Sequence, residues 1–245
     1  MSRGISAVAR RGQGEFVAGH DRFWRLARQR QGAALLLGGF LVLALSVQVR
    51  WTVPLDTEIA VAASRVELEA GPLEPLLSGL TILGGVGLSA VLGAGLGAWL
   101  WWRRWGWRAA APLLLVAAIL VEVLLKSVVY QPDTAYLLVS HRPLHATVFP
   151  PFPLNLVRPP YAFPSGHAAR LAFLATLSLR FGVSRLPARS VRLVVGTAVA
   201  LGVLLSAGER VYTGEHWFSD VIGGLLLGVW LGVVAVEMLG WRGDA

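Results

Sequence analysis

Residues Leu76 to Trp102 read LLSGLTILGGVGLSAVLGAGLGAWLWW, a run with no charged side chain. At about 1.5 Å per residue a helix of roughly 20 residues crosses about 30 Å of hydrocarbon, so this stretch is long enough to span a bilayer. Gly84, Gly85, Gly87, Gly93, Gly95 and Gly97 punctuate it, and Gly93 with Gly97 makes a small-xxx-small spacing that suits close helix packing. Outward from this run, uncharged apolar segments recur. Six spans are expected, at about 33–49, 76–102, 109–129, 167–183, 191–208 and 217–239, the fourth interrupted by Arg170 and Arg180. Several of the ten tryptophans, among them Trp51, Trp99, Trp101, Trp102, Trp105 and Trp107, fall near the proposed span ends, where an amphipathic indole prefers to sit.

Composition agrees with a membrane protein. The chain has 245 residues, 55% hydrophobic and only 15% charged, with a net charge of +8. A soluble nucleic-acid binder with that net charge would carry many more charges in total, so no nucleic-acid partner is expected. There is no cysteine, which excludes disulfides, thiolate metal sites and cysteine nucleophiles. The basic residues instead carry orientation. Arg3, Arg10, Arg11, Arg22, Arg25, Arg28 and Arg30 precede the first span, Arg103, Arg104 and Arg108 follow the second, and Arg185, Arg189 and Arg192 follow the fourth. Six crossings put these groups on one side, which the positive-inside rule makes the cytoplasm, with both termini. The opposite side receives an acidic stretch (Asp56, Glu58, Glu67, Glu69, Glu74), a proline-rich loop near 130–166 and a short loop near 209–216. The first 30 residues are too polar, and the first span too long, for a cleaved signal peptide, so that span reads as an uncleaved anchor. The expected organisation is a basic segment 1–32, a membrane domain 33–239 and a short tail 240–245.

Three clusters of polar residues fall at the outer ends of spans three, four and six. Lys126, the only lysine in the chain, stands four residues after Glu122. A lysine in a membrane helix is by default a functional hypothesis, although an ion pair with Glu122 or snorkelling also accommodates it. Phe163-Pro164-Ser165-Gly166-His167 reads as a helix start, with serine as N-cap and free N–H groups suited to an anion, or simply as an N-cap followed by a surface histidine. His216 and Asp220, four apart, would share a helix face. There the carboxylate orients the imidazole for nucleophilic attack, supports a metal ligand, or merely solvates the helix start. Taken together the clusters supply a nucleophile, an acid and an anion site on one membrane face.

These residues resemble the type-2 phosphatidic acid phosphatase family of integral membrane phosphatases, related in fold to vanadium haloperoxidases. That family carries the patterns K-x6-R-P, P-S-G-H and S-R-x5-H-x3-D. Pro164-Ser165-Gly166-His167 matches the second in full, and Arg210-x5-His216-x3-Asp220 matches the third from its arginine onward, within a core of about 110–235. Two departures stand out. Glu209 replaces the serine of the third pattern, and Asp133-Thr134 stands where Arg-Pro should follow Lys126. Arg142, Arg158 and Arg170 are candidates for the missing arginine, with Arg158 and Arg170 favoured over Arg142.

The resemblance implies an all-α six-helix membrane bundle with its active site at the extracytoplasmic ends of spans three, four and six, in a bacterial plasma membrane. It implies hydrolysis of a lipid phosphate or pyrophosphate, such as undecaprenyl diphosphate, phosphatidic acid or phosphatidylglycerol phosphate, without metal or other cofactor. His216 would form a phosphohistidine, Asp220 would fix its tautomer, and His167 would protonate the leaving oxygen. Lys126, Ser165, Gly166, Arg210, Arg158 and Arg170 would hold the phosphate. Asp133 and Glu209 keep open a non-catalytic lipid-phosphate binder or transporter as the rival reading.

Overall fold

The computed structural model describes residues 30–65, 79, 82, 84–131 and 161–240. Among these, all regular structure is helical. Helix α1 (Arg30–Gln48) is built from the apolar run of the first expected span. It closes with Arg50 in the left-handed region (φ 65°), where Arg50 N–H bonds Val47 O and Trp51 N–H bonds Ser46 O. This paired pattern satisfies the carbonyls that a helix end otherwise leaves open. Helix α2 (Val53–Arg65) follows immediately, with Asp56 in its first turn.

Helix α3 (Val86–Trp102) is shorter than the expected second span, because extended backbone at Gly85 (ψ 146°) sets its start. It ends in the same cap as α1, with Arg104 at φ 60° and the N–H groups of Arg104 and Trp105 on Trp101 O and Leu100 O. A 3₁₀ segment, Gly106–Leu113, contains Pro112 and leads into α4 (Leu114–Val128). Helix α5 (Gly166–Leu177) runs on through a π turn at Ser178–Gly182 and a 3₁₀ turn at Val183–Arg185. Helices α6 (Arg189–Tyr212) and α7 (Phe218–Met238) complete the order.

Four segments among the described residues are long and apolar enough to cross a membrane: α1, the 3₁₀–α4 unit Gly106–Val128, α6 and α7. Among the described residues, expected span two appears as the shorter helix α3, most of its first eight residues lying outside the described set, and span four as α5 with its π turn. Span five runs further than expected: α6 continues to Tyr212, so Arg210 sits in its last turn and not in a loop. Large apolar side chains such as Leu35, Val42, Val91, Leu120 and Val194 stand exposed, as lipid-facing positions do.

The bundle is organised around α5 and α7. Half of the most apolar window of α7 is buried, against 11% for α6, which makes α7 central and α6 peripheral. Gly224, Gly228 and Gly232 form a seam along α7. A methyl at Gly224 would overlap the Ser165 carbonyl oxygen, and one at Gly228 would overlap that of Ala169. Backbone thus lies on backbone, the arrangement that small residues permit in membrane bundles where apolar burial drives little. Phe163, Phe173, Leu227 and Leu231 fill the space around this seam, and Phe40 of α1 stacks on Phe163 at 6.0 Å.

Candidate active site

The third cluster is shaped by a tight turn between α6 and α7. Helix α6 closes on Gly214 at φ 69°, a left-handed conformation that costs glycine nothing. Gly214 N–H bonds Val211 O at 3.1 Å, while the N–H groups of Glu215 and His216 both reach Arg210 O at 3.0 Å. Five residues therefore suffice to bring His216 back beside Arg210. His216 precedes the first residue of α7, Phe218, by two positions, so it is not on the helix as the four-residue spacing suggests. The partnership with Asp220 still forms, by another route. Asp220, in the first turn, is fully buried. Its Oδ2 accepts the Trp217 N–H at 3.0 Å, satisfying a first-turn donor, and faces His216 Nδ1 at 3.2 Å.

The second cluster packs against this turn. Ser165 is the N-cap of α5, its Oγ accepting the Ala168 N–H at 3.4 Å. Its own N–H donates to the Asp220 carbonyl at 2.9 Å, which ties the start of α5 to the start of α7. The Phe163–Pro164 peptide is cis, and Phe163, Pro164 and Ser165 are completely buried. His167 lies within electrostatic reach of Arg210, Arg170 and His216. Its Nε2 is 3.1 Å from the Oγ of Ser206, a buried residue on α6, and its ring packs on Gly84, where a Cβ would lie 2.5 Å from the imidazole.

The first cluster is an ion triad. Glu122 accepts from Lys126 Nζ at 3.0 Å and from Arg170 Nη1 at 2.7 Å. Arg170 also donates from Nε to the Gly84 carbonyl at 2.9 Å, so both of these contacts are already made by a side chain expected to meet phosphate. The Glu122 carboxylate rests directly on Gly166, filling the space of an absent Cβ. Arg210 is likewise paired, with Glu209 Oε2 at 3.0 Å from Nε and with Glu215 through Nη1. Beside the site, Tyr161 packs edge-on against Tyr130 at 5.2 Å. Burial and that neighbouring phenol push the Tyr161 hydroxyl up from its ordinary pKa, so it stays neutral.

Lys126, Gly166 and Arg170 thus gather around Glu122, while Ser165, His216 and Asp220 gather at the start of α7, with His167 and Arg210 alongside. Arg158, Arg142 and Asp133 lie outside the described residues. Sequence reasoning missed Ser206, although it lies four residues before Arg210 on one face of α6, and it assigned Glu122 only one of its two cations.

The described helical bundle thus sets a carboxylate-held histidine beside a helix N-terminus and clustered cations. A sequence model of the PAP2 superfamily matches residues 107–244, and the chain belongs to that superfamily. It is similar to an undecaprenyl-diphosphatase of Sulfolobus acidocaldarius, 29% identical over 143 residues, covering 56% of this chain and 65% of that relative. It is also similar to phosphatidylglycerophosphatase B of Bacillus subtilis, 28% identical over 197 residues, 78% of this chain and 87% of that one. Among solved structures, a transmembrane PAP2-type phosphatidylglycerolphosphate phosphatase from Bacillus subtilis shares the fold. The TM-score is 0.61 at 23% identity, over 87% of this chain and 98% of that one. The chain is a multi-pass membrane protein.

Proposed function

We propose that the protein hydrolyses a lipid phosphate or pyrophosphate through a phosphohistidine, with no metal ion. The observation that carries this reading is the His216–Asp220 pair, 3.2 Å apart, braced by the Ser165 N–H on the Asp220 carbonyl. With its Nδ1 proton directed to Asp220, His216 keeps a lone pair on Nε2. That lone pair attacks phosphorus, the bond from phosphorus to the leaving oxygen breaks, and His167 gives the leaving oxygen its proton. His167, now neutral, takes a proton from water as the water attacks the phosphohistidine, and the P–N bond breaks to release phosphate. Lys126, Arg210, the Ser165 hydroxyl, the Gly166 amide and either Arg158 or Arg170 would compensate the phosphoryl charge, the main task in such a transfer. The relatives named for undecaprenyl diphosphate and phosphatidylglycerophosphate support a substrate whose chains stay in the bilayer.

In this reading the chain crosses six times, with α3 and α5 as the second and fourth crossings. The arginines near 103–108 and 185–192 face the cytoplasm, and the site opens on the outer face of a bacterial plasma membrane. The test is phosphate release from phosphatidic acid and from a polyprenyl diphosphate in detergent, with chelator present, alongside vanadate inhibition. Turnover in chelator with vanadate inhibition is expected. A wild type that releases no phosphate from either lipid would leave the non-catalytic reading, which the pairing of Arg210 with Glu209 and Glu215 favours.

Ser206→Ala removes the hydroxyl 3.1 Å from His167 Nε2. Loss of one such contact, about 1 kcal/mol, is expected to lower kcat roughly five- to tenfold with the fold intact. Equal kcat in variant and wild type would show that Ser206 does not orient His167.

A further inference from the structure

Behind the start of α7 lies a second buried polar node, built from residues that none of the three motifs specifies. Asp56, on α2, is 3% exposed. Its Oδ1 accepts the Ser219 backbone N–H at 2.9 Å, and its Oδ2 accepts the Ser219 hydroxyl at 2.6 Å and Gln131 Nε2 at 3.2 Å. Gln131 Nε2 also reaches Ser219 Oγ at 2.8 Å. A buried carboxylate is costly unless donors surround it, and here two segments distant in sequence supply them.

Those two segments run straight into the site. Ser219 immediately precedes Asp220. Gln131 follows the end of α4, the helix of Lys126, and its carbonyl accepts the Ala162 N–H at 2.9 Å on the approach to Ser165. One carboxylate on α2 therefore joins the approaches to all three clusters. The division of labour at α7 is also informative. Of the N–H groups that a helix start leaves without intrahelical partners, Ser219 is served by Asp56, while Trp217 at the cap is served by Asp220. Asp220 Oδ2 can then serve His216 as well without being drawn toward Ser219.

We propose that Asp56 is a positioning residue of the active site, capping α7 from another helix and so holding Asp220 and His216 in register with Ser165 and Lys126. Asp56 touches no substrate, and the proposal rests on the phosphatase reading. Without Asp56, the Ser219 N–H and hydroxyl lose their acceptor and the Gln131 amide keeps only its contact with Ser219 Oγ, so the first turn of α7 is released on the side that carries Asp220. Misplacement of a reacting group by about 1 Å costs on the order of 100-fold in rate, while substrate binding through lipid chains and distant cations is spared. The conservative change has a structural route to recovery. Among the described residues Gln131 Oε1 is buried with no hydrogen-bond partner, so turning that amide over presents an acceptor to the new NH₂ group of Asp56→Asn.

The experiment uses the full chain in detergent, with phosphatidic acid as substrate and chelator present. His216→Ala runs alongside, and melting temperature is recorded for every variant. For Asp56→Ala, kcat is expected to fall about 100-fold with KM within about twofold, and vanadate inhibition to weaken more than inhibition by inorganic phosphate. Asp56→Asn is expected to restore kcat to within about fivefold of wild type. Wild-type kcat in Asp56→Ala overturns the proposal, as does a loss in both variants that tracks only the fraction of folded protein. If Asp56→Ala does not fold, Ser219→Ala removes one of the donors and is expected to lower kcat about fivefold at unchanged KM. Wild-type kcat in that variant overturns the proposal as well. An inactive wild type overturns the phosphatase reading and this proposal with it. An active wild type with a dead His216→Ala and an unaffected Asp56→Ala overturns the proposal alone.

Discussion

His216→Ala is expected to abolish turnover, by about 10,000-fold or more, while the protein folds and still reaches the membrane. In the proposed mechanism His216 supplies the nitrogen that bonds phosphorus, and loss of a nucleophile in a concerted group costs far more than loss of one hydrogen bond. Asp220 keeps its bond to the Trp217 N–H, so the α7 cap survives the change. Phosphate release from phosphatidic acid with purified protein is the measurement, with melting temperature as the control. Retention of even a tenth of wild-type kcat in a folded variant would remove His216 from the mechanism and with it the phosphohistidine.

The second large effect is on stability. Gly228→Ala inserts a methyl where the Ala169 carbonyl oxygen already lies, and the same methyl meets the Ala172 side chain. Neither partner is the mobile end of a long side chain. Both belong to α5, which cannot retreat without moving Ser165 and His167. Overpacking of a tight seam typically costs about 1–3 kcal/mol, and collision with main chain belongs at or above the upper end of that range. A fall in melting temperature, together with loss of activity at temperatures where the wild type is stable, is the expected result. Gly208, on the outer helix α6, has open space where a Cβ would stand, so Gly208→Ala is the matched control and is expected to be neutral. Equal melting temperatures for the two variants would show that the seam tolerates separation.

The parts of the site carried by fixed local spacing are legible in the order of residues alone. The helix start at Ser165 follows from Pro-Ser-Gly, and the pairing of His216 with Asp220 follows from four-residue spacing. Yet the physical route to that pairing is different. His216 is delivered by the Gly214 turn rather than by a helical face, and the carboxylate swings back from inside α7 to meet it. Spacing reports proximity, and two different backbones can produce the same proximity. The helical class and the apolar runs are likewise legible, because membrane helices must satisfy their backbone internally and leave long uncharged stretches behind. Helix ends are less so: α6 carries Arg210 past the apolar run, since a helix can continue beyond the hydrocarbon wherever its polar residues remain solvated.

Contacts closed by the fold leave no such trace. Asp56 and Ser219 are 163 positions apart, Glu122 and Arg170 are 48 apart, and Ser206 and His167 are 39 apart. Each needs the relative placement of two helices, which no local pattern encodes. The ion triad shows both cases at once. Lys126 and Glu122 are i, i+4 on one helix, so half of the triad is visible in the spacing and the other half, through Arg170, is not.

The glycine seam bears on how rigidly the site residues are held. Because α5 and α7 touch through their main chains, His167 and the His216–Asp220 pair ride on what is mechanically one body, and their separation is set once, at folding. Helix α6, which brings Ser206 and Arg210 to the same site, is only 11% buried over its most apolar window and lacks that seam. The helix starts that carry Ser165 and Asp220 are thus held in a fixed frame by main-chain contact, whereas Ser206 and Arg210 reach the same region from a helix packed by side chains.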